Sequence, residues 1–235
     1  MDNMDLILHD VKVRENVLLR NVYLWMFLGL LVTAAVAYAV ASSITVLRLI
    51  YSNPLVTLVI FFAQLALVMV LSGRVEALRT STAVGLFIGY SALTGLTLST
   101  IFIAYTGETI AYAFLSAAAV FAGGAVYGTV TKRELKSWGG YITMALFGLI
   151  LASLLNLFFR SSSFDLVVSL IGVILFTGLS AWDAQRVADM NRQYGQYMTR
   201  EELTKIGILG ALSLYLDFLN IFLYLLRLFG RSDNR

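Results

Sequence analysis

Seven long apolar runs separated by short polar connections leave this chain few ways to fold. They cover Tyr23–Ala41, the stretch opened by Asn53-Pro54 and ending at Leu71, Ala83–Ala104, Ile110–Val130, Tyr141–Phe159, Leu166–Trp182 and Ile206–Leu228. A bilayer core about 30 Å thick asks a helix for roughly 17–25 such residues. Only 13% of the 235 residues are charged, against about 25% in soluble domains. The sequence therefore predicts an all-α polytopic membrane protein, a seven-transmembrane-helix bundle over residues 21–230. A mixed-charge N-terminal tail, 1–20, and a short C-terminal tail, 231–235, flank it. Acidic residues in the first tail and the lack of a small-residue cleavage site argue against a signal peptide.

Several chemistries fall away at once. The chain has no Cys and a single His, His9, in the tail before the first apolar run. Disulfides, thiolate metal sites, His-based metal sites and a catalytic triad are excluded. A formal charge of +3 gives no case for nucleic acid.

The placement of the basic residues is more informative than their sum. The tail and the connections after the second, fourth and sixth runs hold twelve Lys and Arg, among them Arg74, Arg79, Arg133 and Arg186. The opposite connections hold two, Arg48 and Arg160. The positive-inside rule then puts the N-terminus in the cytoplasm. Seven crossings place the C-terminus outside, although Arg227, Arg231 and Arg235 cluster there. A re-entrant last segment is the alternative to a crossing one. Asn53-Pro54 reads as an N-cap with proline in the first helical turn. Gly85-x-x-x-Gly89 and Gly124-x-x-x-Gly128 put small residues on one helical face, a pattern that permits close helix packing.

One carboxylate stands in the middle of the last apolar run. Asp217 lies 11 residues after Ile206, and a charge at that depth costs about 2.5–3.5 kcal/mol on insertion scales. Its face of the helix, which Asn220 shares at i+3, must therefore look into protein or water. A second carboxylate, Asp183, ends the sixth run. The two meet only if the membrane boundary of the sixth helix lies nearer Arg192, or if the seventh helix begins in the cytoplasm. Ala184, Val187 and Ala188 do extend the helical period past Asp183. Two carboxylates at close range in low dielectric cannot both ionise cheaply, so they share a proton. Losing that proton forces the helices apart or recruits a cation, and hard oxygen ligands suit Ca²⁺.

Gly178-Leu-Ser-Ala-Trp-Asp-Ala-Gln185, Gly210-Ala-Leu-Ser-Leu-Tyr-Leu-Asp-Phe-Leu-Asn-Ile-Phe222 and Leu225-Leu-Arg-Leu-Phe-Gly230 together resemble the Bax inhibitor-1 family, also called the transmembrane Bax-inhibitor-motif family. Tyr90-Ser-Ala-Leu-Thr-Gly-Leu-Thr-Leu-Ser99 is similar to its third span. The resemblance runs in order over nearly the whole chain. It implies a bundle whose last helix is central, and a pH-sensitive calcium leak gated by an aspartyl pair, here Asp183 and Asp217. It also implies a bacterial-type member in the inner membrane, with calcium ions and protons as its traffic and no resident cofactor. Trp182 stands where the family usually has Tyr, keeping an aromatic wall without the phenol hydroxyl. Some relatives latch the carboxylates with an Arg at the end of the second span, for which Arg74 is the candidate and Arg79 the alternative.

Two other function classes compete. Some relatives look like regulators of membrane proteases, so an interaction protein acting on a membrane protease or a death pathway is the second reading. An intramembrane aspartyl protease would also place two Asp on consecutive spans. Its Gly-x-Gly-Asp motif is missing, because Leu214-Tyr-Leu216 precedes Asp217. The sequence therefore predicts no enzyme.

Overall fold

The computed structural model describes residues 3–194 and 198–230. Among them every regular element is helical. α1 spans Asn3–Ala41, α2 Ile44–Tyr51, α3 Pro54–Arg74, α4 Thr80–Leu98, α5 Ile101–Ala104, α6 Gly107–Val130, α7 Gly139–Phe159, α8 Ser162–Tyr194 and α9 Arg200–Gly230. Seven helical stretches among the described residues are long and apolar enough to cross a bilayer. The chain is thus an all-α, multi-pass membrane protein.

Local chemistry sets the boundaries. Asn53 caps α3, its Oδ1 accepting from Leu55 N at 3.0 Å, with Pro54 in the first turn. Pro there gives up an N–H that the helix would leave unpaired anyway. α1 runs unbroken from the tail into the first span, since no Gly or Pro precedes Gly29. The expected division between tail and span is therefore not a break in the backbone. The third span, Thr80–Ala104, is one stretch long and apolar enough to cross, with its helix interrupted between α4 and α5. Hydroxyls at Thr97, Ser99 and Thr100 compete there for backbone carbonyls. Ser99 Oγ donates to Leu96 O at 2.7 Å, and Tyr51 Oη reaches the same carbonyl at 2.8 Å. Tyr51 closes α2, a short helix in the first connection that apolar-run counting passes over.

Two compact units divide the helices between them. The first holds α1–α5, the end of α8 from Met190, and α9 as far as Tyr215. α1 packs on α4, so closely that a Cβ on Gly95 would lie 2.7 Å from Thr33 O. Thr33 Oγ1 donates to Ser91 O at 2.9 Å and lies 2.6 Å from Tyr215 Oη. The fully buried Tyr215 ring meets Phe87 and Tyr90 edge-on, at 6.0 and 5.9 Å between centroids.

The second unit holds α6, α7, α8 as far as Asp189, and α9 from Leu216. Gly124 and Gly128 let α6 approach α8, because a Cβ on Gly124 would stand 2.6 Å from Ser180 Oγ. A Cβ on Gly128 would collide with the Ala181 carbonyl. The equivalent pattern in α4 does not pack this way. Nothing lies within 4 Å of the Cβ positions of Gly85 and Gly89. Spacing alone puts two glycines on one face, but a partner helix must also face them.

The spans differ greatly in burial. For α9 the apolar window is 67% buried, against 6% for the second and fifth spans. A helix so enclosed can carry polar groups that a lipid-facing one cannot.

Candidate functional site

The site is built by α8 and α9 within the second unit. α8 does not stop at Trp182. The helix, 33 residues in all, runs on to Tyr194, and Ala184, Val187 and Ala188 remain buried past Asp183. α9 begins at Arg200, six residues ahead of the apolar run's start at Ile206. A capping box sets that start: Thr199 N and Oγ1 reach Glu202 Oε2 at 2.7 and 2.9 Å, and Glu202 N donates back to Thr199 Oγ1 at 3.3 Å. The signal Thr199-Arg-Glu-Glu202 is legible in sequence, and it had no place in a reading based on hydrophobicity. α8 thus runs past Arg192, and α9 starts ahead of its apolar run.

The two carboxylates do meet. The carboxyl groups of Asp183 and Asp217 are within side-chain hydrogen-bonding reach of each other. Both residues are buried, at 8% and 4% exposure. Asp217 Oδ2 finds no hydrogen-bond partner among the described residues. A buried carboxyl oxygen without a donor is costly, and a proton, a water molecule or a cation relieves it. Phe218, beside Asp217, is walled by Phe114 and Phe121 at 5.4 and 5.7 Å between ring centroids.

Other sequence candidates take different places. Arg186 stands one turn beyond Asp183 on α8. Its guanidinium lies 5.4 Å from the centroid of the Trp182 ring. Trp182 thus offers a π face to a cation, while its indole N–H has no acceptor among the described residues. Gln185 anchors the α6–α7 connection: its Oε1 accepts from Leu135 N at 2.7 Å and its Nε2 donates to Arg133 O at 2.9 Å. Asn220 turns back to its own helix, donating to Leu216 O at 2.8 Å. Arg74 ends α3 and Arg79 precedes α4, both exposed and both in the first unit.

No cluster of three or more His, Cys, Asp or Glu suited to a metal occurs among the described residues. Calcium takes about 6–8 oxygen ligands, so a Ca²⁺ at this pair would draw most of them from water and backbone carbonyls.

A match to the family model for the inhibitor of apoptosis-promoting Bax1 covers residues 15–234. The chain belongs to the Bax inhibitor-1 family. It is 47% identical to the inner membrane protein YbhL of Escherichia coli over 210 residues, 89% of each chain. Identity is 40% over 220 residues to a Borreliella burgdorferi protein, covering 94% of each chain. A Lactococcus lactis protein, YrjE, is 39% identical over 92% of this chain and 91% of its own. This Bax inhibitor-1 family member is therefore similar to such relatives over about nine-tenths of its length, and its aspartyl pair falls inside the region the family model matches.

Proposed function

We propose that this protein is a pH-sensitive calcium leak channel whose gate is the Asp183–Asp217 pair. The observation that carries the reading is the buried contact between two carboxyl groups, one of which leaves Oδ2 without a partner. With a shared proton the pair is a hydrogen bond that holds α8 against α9. Without it, two like charges in low dielectric repel. The helices then separate or admit a cation, and hard carboxylate oxygens select Ca²⁺ over softer-ligand metals. Arg186, one turn from Asp183, is placed to stabilise its ionised form, while two carboxylates alone hold a largely hydrated ion weakly enough to let it leave.

The bias of twelve basic residues against two supports a cytoplasmic N-terminus. The name of the Escherichia coli relative, an inner membrane protein, supports the same kind of membrane here. The unbroken α9, 31 residues and about 46 Å long at 1.5 Å per residue, favours a crossing last helix over a re-entrant one.

Ca²⁺ entry into dye-loaded proteoliposomes containing only this protein tests the reading. Flux that rises across roughly pH 6–8 is the expected result. An absence of flux at every pH sinks the channel and favours a protein that acts through a membrane partner.

A further inference from the structure

A second polar cluster of the α7–α8–α9 unit lies away from the aspartyl pair, where α7 ends, α8 begins and α9 ends. A cavity of about 470 Å³ opens there, within the roughly 300–1,000 Å³ usual for small-ligand sites. Arg227 and Asp165 face each other across it, Nη1 to Oδ1, at 3.9 Å. A close guanidinium–carboxylate contact is about 2.7–2.9 Å, so this pair is stretched and only partly covered, at 45% and 30% side-chain exposure. At that separation each group keeps room for a further partner.

The surroundings hold both groups in place. Asn156 Nδ2 donates to Asp165 Oδ1 at 3.4 Å, and Asn156 Oδ1 accepts from Ser161 N at 3.2 Å in the tight α7–α8 turn. The Arg227 guanidinium lies 5.5 Å from the centroid of the Tyr224 ring. That ring is itself fixed against α8: a Cβ on Gly172 would stand 2.5 Å from it, and Phe176 lies 6.0 Å away. Ile150, Leu154 and Leu157 form the α7 wall, and at 49%, 49% and 69% exposure they open the cavity toward the lipid.

A groove that faces lipid, with one fixed cation and one fixed anion at its rim, matches a zwitterionic amphiphile. We propose that it binds a phosphatidylethanolamine-type lipid. Arg227 pairs with the phosphate, Asp165 accepts from the primary ammonium, and the acyl chains run over Ile150, Leu154 and Leu157. The charge pattern discriminates. An anionic phosphatidylglycerol would bring its phosphate beside Asp165 with nothing to neutralise that carboxylate. A phosphatidylcholine ammonium carries methyl groups and cannot donate a hydrogen bond.

Native mass spectrometry of the delipidated full chain, offered each lipid singly and in equal mixture, tests the proposal. The wild type should retain phosphatidylethanolamine over the other two. Asp165→Asn should lose the preference over phosphatidylglycerol while keeping phosphate binding. Arg227→Gln should weaken retention of both by about tenfold, the order expected for one lost charge-assisted hydrogen bond. Leu157→Trp fills the groove from its lipid side without touching the ion pair, and should also reduce retention. Thermal unfolding in detergent identifies variants that remain folded. Equal retention of phosphatidylglycerol by the wild type, no retained lipid at all, or phosphatidylethanolamine retention unchanged in the folded variants would overturn the proposal. None of these readouts depends on ion flux, so the channel reading stands or falls separately.

Discussion

The Arg186 guanidinium lies over the Trp182 ring, 5.4 Å from its centroid, within one turn of Asp183. Three consecutive features of one helix therefore converge: an aromatic face, a carboxyl that faces α9, and a cation that favours the ionised form of that carboxyl. Replacing Arg186 by Gln removes that cation, so deprotonation of the pair becomes harder and the flux–pH curve should move to higher pH. Trp182→Leu frees the guanidinium from its ring and should move the curve by a smaller amount. Proteoliposome flux measured against pH checks both, and curves superimposable on the wild type would leave Arg186 no part in tuning.

Raising pH should increase Ca²⁺ flux, because loss of the shared proton leaves two like charges in contact. Asp217→Asn keeps the shape and removes one charge, and Asp183→Asn does the same on the facing helix. Each should abolish the pH response, and the double variant should add little to the stronger single one, as expected of groups that titrate together. If both single variants keep the wild-type profile, the aspartyl gate is wrong.

Gly128→Ala should be severely destabilising, since the new methyl group would collide with the Ala181 carbonyl where α6 meets α8. Overpacking of this kind costs about 1–3 kcal/mol, sometimes more. Gly85→Ala and Gly89→Ala are the controls. Each has open space at its Cβ position, and Ala favours a helix over Gly by about 1 kcal/mol. Thermal unfolding in detergent should therefore fall for the first variant and hold or rise for the other two.

Tyr215→Phe removes the hydroxyl that sits 2.6 Å from Thr33 Oγ1, while the edge-on contacts with Phe87 and Tyr90 remain. Thr33 still donates to Ser91 O. The loss should be modest, about 1 kcal/mol, and chemical denaturation of the detergent-solubilised protein reads it. A cost as large as that of Tyr215→Ala would mean that the hydroxyl, not the ring, supplies the anchoring.

Reporter fusions address the orientation. One placed after Arg133 should read cytoplasmic and one after Gly107 external, given the basic bias of the connections. The inverse pattern would overturn the orientation.

The number of spans, their helical nature and the two carboxylates were legible in the sequence, because hydrophobic length and an isolated charge are local properties of the chain. Asn53-Pro54 gave a helix start for the same reason: a cap acts within one turn. The capping box at Thr199 and Glu202 is equally local, and was hidden only because it precedes the apolar run. The family likeness was legible too, since its motifs are contiguous. What only the tertiary structure decided depends on which surfaces face each other. Gly124 and Gly128 receive α8 while Gly85 and Gly89 receive nothing, although their spacing is identical. Asp183 meets Asp217 because those faces of α8 and α9 are turned to each other, whereas Asn220 turns to its own backbone. Arg227 faces Asp165, 62 positions earlier, across a cavity that no sequence period announces. Periodicity fixes the direction of a side chain around its own helix axis. It carries no information about the rotation and depth at which the next helix packs, and those two quantities create the site.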